Sequence, residues 1–260
     1  MREFLLKMFQ LEGGPEITLF SIWHIMYIVL IVGLTIGLAF VFKNKSEKVK
    51  NRVLSIVAVA AIATYIADFF IMPLARYNGD PTRQLVDIDK LPFHICTFIS
   101  VMIPFAQFKA KNTTKLGSSF REVVACLAIV SSLMYVTYPG SALGGVGTFS
   151  YKVVQTFLFH GLVFAWGMLS LTTGSISLKF KNIWKVAVGM LIIMVWATFG
   201  NYAYADYNWF FLMSAPFPFV PDSLAPLAVF AGVFAMCALI YAIDLAVKAI
   251  ARKIKSSKTK

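Results

Sequence analysis

Cysteine and histidine are the side chains here best suited to attack or activate a carbonyl group, and the 260-residue chain has three of each. Cys96, Cys126 and Cys237 are far apart in sequence and follow no disulfide-framework or metal-ligand spacing. Cys126 and Cys237 lie among apolar neighbours at different predicted depths in the membrane, where inert packing is the expected role. Cys96 differs because His160 falls at a similar depth, and a thiol in apolar surroundings needs a base or cation nearby to become a thiolate. His94 precedes Cys96 by two positions, about 200° around a helix, so both face one centre only if the helix start is unwound. The histidines form no HxxH or HExxH pair, and neither a metal nor another cofactor is expected.

These residues must be positioned by helices that live in lipid. Apolar residues make up 59% of the chain and charged ones 14%, against roughly 25% charged in ordinary globular domains. Uncharged runs predict seven transmembrane helices near 19–42, 53–75, 91–108, 123–143, 153–173, 183–204 and 224–247, the second interrupted by Asp68. The fourth run is short, so the segment Ser141–Gly147 either completes it or re-enters the membrane. Barrel strands are excluded by the run lengths, and the fold class is an all-α polytopic membrane bundle. Residues 1–260 read as a single membrane domain with a basic tail at 248–260. Glu3, Glu12 and Glu16 break any cleavable signal sequence.

The net charge of +12 does not point to nucleic acid, because 18 of the 24 basic residues follow spans one, three, five and seven. That side is expected to be cytoplasmic, which puts the N-terminus outside, the C-terminus inside, and the protein in a cell membrane as a multi-pass component, most simply a bacterial plasma membrane.

With that topology His24, Asp68, Cys96, His160 and Asn201 share one outer layer, while the inner halves of the spans hold almost nothing comparable. A common pocket opening toward the outer leaflet is the simplest account. Each member also has a bland reading. His24 suits a structural bond to a backbone carbonyl, Asp68 a pairing with Arg76 or the interface, and His94 the orientation of a helix start beside Pro92. The aromatic residues of 202–219 suit an interfacial belt. Around His160, Thr156 and Gly167 lie on the same helical face, where the glycine lets another helix or an acyl chain approach closely.

The run Leu91-Pro92-Phe93-His94-Ile95-Cys96 resembles the signature of the YwaF-like bacterial membrane proteins, which are related to a eukaryotic family of cysteine-dependent phospholipid acyltransferases. Tyr138-Pro139-Gly140, Phe159-His160-Gly161, Asn201, the run Asn208–Leu212 with Pro216, and Asp222-Ser223-Leu224 with Pro226 resemble further elements in the same order. Trp209, Thr97 and Ala215 depart from the family pattern. The resemblance implies that Cys96 accepts an acyl group as a thioester and that His160 is general base and then general acid; His94, Asn201 or Asn208 are the candidate oxyanion donors in a dry pocket, and His24 and Asp68 join that pocket by their depth. The implied partners are a membrane phospholipid or lysophospholipid. Two other readings stand beside it: a lipid-ester hydrolase using the same pocket, and a transporter or lipid-binding scaffold without chemistry.

Overall fold

The computed structural model describes residues 14–76, 88–110, 113–139, 147–215 and 219–257, and side-chain descriptions are omitted for 72–76, 251–252 and 255–257. Among the described residues seven α-helices follow one another: α1 Ile22–Phe42, α2 Glu47–Arg76, α3 Ile95–Pro104, α4 Lys115–Thr137, α5 Tyr151–Thr172, α6 Ile183–Ala203 and α7 Ala225–Ser257. Six are long and apolar enough to cross a membrane. The exception is α3, whose 10 residues continue after Pro104 into a five-residue π turn, Phe105–Lys109. At 1.5 Å per residue the two together reach about 22 Å, short of a hydrocarbon core of roughly 30 Å. Among the described residues the only β pairing is an isolated bridge between Glu16 and Gly147.

Hydroxyl caps fix several helix starts. Ser21 accepts from the His24 amide at 3.3 Å, Thr114 from Gly117 at 3.0 Å and Ser150 from Val153 at 3.4 Å. The Thr114 cap explains why α4 begins eight residues before the uncharged run at Val123, carrying Arg121 and Glu122 into the bundle. At the other end of the chain, α7 runs on to Ser257, so most of the predicted tail is continuous helix. Lys248 there bonds Asp244 at 2.6 Å and Ser177 at 3.1 Å.

Helices α4 and α5 form the centre, with α1 and α2 against α5, α3 between α2 and α4, and α6 and α7 on the remaining face of α4. A Cβ on Gly167 would lie 2.8 Å from the Ile129 side chain and 2.9 Å from the Ala125 carbonyl oxygen, so the glycine admits α4 itself rather than an acyl chain. Gly167→Val is therefore expected to destabilise the bundle by about 2 kcal/mol through overpacking, readable as a lower thermal midpoint in detergent.

Buried polarity is not confined to one end. Glu122, 2% exposed, accepts from the Lys179 amide at 2.7 Å, the Asn182 side chain at 2.7 Å and the Tyr241 hydroxyl at 3.0 Å. Gln107 in the π turn donates to Asn51 at 2.7 Å and Ser55 at 3.2 Å, and its carbonyl oxygen accepts from Trp166 at 3.2 Å. This corrects the expectation of an almost apolar inner half: Glu122 stands one residue outside the uncharged run, and amides do not interrupt such runs. The Glu122–Tyr241 bond also fixes the register of the antiparallel helices α4 and α7. One turn along each from that rung, Cys126 and Cys237 meet with their thiols within hydrogen-bonding reach, so they share a depth after all. Both are free thiols in the apolar core.

Of the segment Ser141–Gly147, only Gly147 lies within the described residues. It leads into Thr148, whose amide and hydroxyl both donate to the Pro15 carbonyl, at 2.9 and 2.7 Å. Tyr27 donates to the Thr148 carbonyl at 2.9 Å, tying this loop to α1.

Candidate active site

Pro92 and the residues around it prevent α3 from starting early. His94 has extended backbone angles, φ −78° and ψ 152°, and stands just outside the helix that begins at Ile95. The start is thus unwound at this position, and the helical separation of His94 from Cys96 does not apply. Cys96 is the second residue of α3 and half-buried, and the N–H groups of Cys96 and Thr97 point at its sulfur. Thr97 closes the turn by donating to the carbonyl oxygens of His94 at 3.0 Å and Leu91 at 3.4 Å.

This start is anchored to α6. Trp196 donates to the Pro92 carbonyl at 2.8 Å, and the Phe93 ring packs 5.1 Å from Trp196 and 4.9 Å from Trp209. Phe93 also lies flat over Gly200, where an added Cβ would come within 2.5 Å of the ring. Gly200→Ala should push Phe93, and with it His94 and Cys96, out of place. The overpacking is expected to cost about 1–3 kcal/mol, readable as a lower thermal midpoint in detergent.

The two histidines near α3 and α5 carry their protons on opposite ring nitrogens. On His160, Nδ1–H donates to the Thr156 carbonyl at 2.8 Å, a bond that fixes the tautomer and leaves Nε2 as a lone pair. That Nε2 is buried and has no hydrogen-bond partner. The ring is clamped between Tyr135, stacked at 3.8 Å and 2°, and the edge of Phe159 at 4.8 Å. On His94, Nδ1 accepts the Phe210 amide at 3.3 Å, which leaves the proton on Nε2 as a donor. One imidazole therefore offers an acceptor and the other a donor.

Tyr65 relates the level of α3 to that of α5. Its hydroxyl donates to the Lys90 carbonyl at 2.6 Å, its ring lies 6.0 Å from Phe159, and it interacts electrostatically with Cys96. The Lys90 ammonium is 3.2 Å from Asp68, and its field acts on Cys96, His160, Tyr65 and Tyr151. Asp68 thus pairs with Lys90; the side chain of Arg76, its predicted partner, lies outside the described residues.

The remaining predicted pocket residues are engaged with backbone. His24 accepts the Phe20 amide on Nδ1 at 2.9 Å and donates from Nε2 to the Val136 carbonyl at 2.8 Å, strapping α1 to α4. Asn201 grips Trp209 twice, donating to its carbonyl at 3.0 Å and accepting its amide at 2.8 Å. Asn208 accepts the amides of Met213 at 2.9 Å and Ser214 at 3.3 Å and donates to the Ser214 carbonyl at 2.8 Å. Both asparagines shape the loop after α6 rather than present free donors. That loop holds Phe210 and Phe211 at φ 59° and 53°, a left-handed backbone that costs bulky residues about 1 kcal/mol or more each. The Asn201 grip on the residue before them keeps the Phe210 amide on His94.

The aromatic run divides in the same loop: Tyr202 and Phe219 are exposed, as a belt requires, while Trp209 and Phe210 are buried. Pro216 lies outside the described residues. Sequence reasoning overlooked Lys90, Tyr65 and Tyr135. Lys90 stands directly before Leu91 and its charge was a legible signal, but nothing local marks Tyr135, which depends on the α4–α5 register.

Six apolar helices of spanning length define a multi-pass helical membrane protein. The chain belongs to the TMEM164 family, whose model matches residues 19–244 and so includes Cys96 and His160. No curated protein and no solved structure matches the chain.

Proposed function

We propose that this protein is a membrane-embedded acyltransferase that moves a fatty acyl group between lipids through a thioester on Cys96. The observation that carries the reading is a complementary pair of tautomers: a buried lone pair on His160 without a partner among the described residues, and a proton on Nε2 of His94, two residues before Cys96. A bare, buried imidazole nitrogen is costly unless it has work with a proton.

In the proposed reaction His160 Nε2 takes the Cys96 proton as the sulfur attacks the ester carbonyl of a donor phospholipid. Burial disfavours charge on sulfur, the N–H groups of Cys96 and Thr97 offset part of that, and His94 Nε2–H donates to the oxyanion. Collapse breaks the ester C–O bond, and His160 returns its proton to the leaving alcohol. A lysophospholipid hydroxyl then loses its proton to His160 and attacks the thioester, and the thiolate leaves and is reprotonated. Water in place of that hydroxyl gives the hydrolase variant of the same site. The resemblance of the Leu91–Cys96 run to cysteine-dependent acyltransferases supports this chemistry, and the positive-inside rule supports a cytoplasmic basic end with the site toward the outer leaflet of a bacterial plasma membrane.

Intact mass measurement after incubation with phospholipid tests the proposal. An adduct of one acyl chain, removable by neutral hydroxylamine and mapped to the peptide containing Cys96, is the expected result. An unmodified mass under conditions of lipid turnover would sink it, and no turnover at all would favour a lipid-binding scaffold.

A further inference from the structure

Arg121 is 7% exposed, yet it forms no hydrogen bond or ion pair with any described residue, and its Nε is buried without a partner. The carboxylate beside it in sequence does not help. Glu122 projects about 100° away around α4, and its oxygens are held by Lys179, Asn182 and Tyr241. A guanidinium withdrawn from water at its Nε, with no counter-charge opposite it among the described residues, is unfavourable enough that one is expected.

A second orphan lies at the same level. Gly167 touches Ala125, so one turn further along the antiparallel pair Ser170 on α5 comes level with Arg121 on α4. Ser170 is fully buried and its hydroxyl has no partner. Nearby Thr172 and Thr173 instead bond the carbonyls four residues before them, at 2.8 and 2.6 Å. Trp166, one turn before Ser170, reaches Gln107, which directs this face of α5 toward the π turn and α2. There Lys50 adds a second largely buried cation, joined only to the exposed Glu47 at 2.8 Å.

We propose that the junction of α2, the π turn, α4 and α5 binds a phosphate-type anion through Arg121 and Ser170, at the end of the bundle remote from Cys96. Tyr135, which stacks on His160, is about 21 Å along α4 from Arg121, so this is a separate site. A guanidinium fork and a hydroxyl suit the oxygens of a phosphodiester, and this end of the helices lies where lipid phosphates sit. The anion is therefore either a lipid headgroup or free phosphate.

Thermal unfolding of the delipidated protein in detergent, with phosphatidylglycerol, diacylglycerol or inorganic phosphate added, tests the site. Wild type should gain stability with phosphatidylglycerol and not with diacylglycerol. A comparable gain from inorganic phosphate at similar concentration would assign the site to the free ion, and its absence to the headgroup. Arg121→Met should need at least about tenfold more phosphatidylglycerol for the same gain. Because that variant removes an uncompensated charge, it should unfold no earlier than wild type when no anion is present, which keeps a folding defect distinguishable. An equal response in Arg121→Met, or no response of wild type to either phosphate source, would overturn the proposal.

Discussion

Cys96→Ala is expected to abolish the proposed acyl transfer, while Cys126→Ala keeps it near the wild-type rate; a radiolabelled acyl donor and lysolipid acceptor in proteoliposomes would measure both. The two positions carry the same side chain in different settings. Cys96 sits at a helix start with two N–H groups on its sulfur, whereas Cys126 is fully buried beside Cys237 in the apolar core. His160→Ala removes the proposed base and should slow the proposed transfer by about 10² to 10⁴-fold, the usual contribution of a positioned proton acceptor. His94→Ala should have a smaller but related effect, roughly 10²-fold, if its Nε2–H stabilises the oxyanion. Wild-type activity in purified Cys96→Ala would end the thioester mechanism.

The largest loss of stability is expected from Glu122→Ala. Its carboxylate is the common acceptor for a loop amide, the Asn182 side chain and the Tyr241 hydroxyl, and so joins α4, the α5–α6 connection and α7. Deleting it strands the buried Tyr241 hydroxyl and leaves two part-buried donors unpaired, for a total of about 2 kcal/mol or more. Glu122→Gln retains one acceptor oxygen and should lose less. Unfolding midpoints in detergent would rank the three proteins. The candidate site lies at the other end of the helices, so the proposed acyl transfer should proceed at the normal rate in the folded fraction of Glu122→Gln.

Uncharged run lengths suffice for the helices because lipid tolerates little else, which is why α1 and α6 begin and end close to where the runs do. They fail for α4, where Thr114 starts the helix outside the membrane run and Glu122 is buried by bonds to distant segments. They also overstate α3, since Pro92 and an extended His94 delay its start. At the candidate site Cys96 and His160 could be singled out by residue type and depth. The tautomers could not, because they depend on the Thr156 carbonyl and the Phe210 amide, and the latter is 116 positions from His94. Depth alone likewise grouped His24 and Asn201 with the reactive residues; only hydrogen-bond partners reveal that one braces α1 and the other the loop after α6.

The shortness of α3 has a consequence for substrate handling. A helix and π turn some 8 Å less than the hydrocarbon thickness leaves a dent in the membrane profile, into which interfacial water and glycerol backbones can settle. If the shortfall falls at its Cys96 end, ester groups resting at the base of the headgroup layer come level with the sulfur. In the proposed transfer the lipid would then react in its own leaflet, with little work of extraction before the first bond forms.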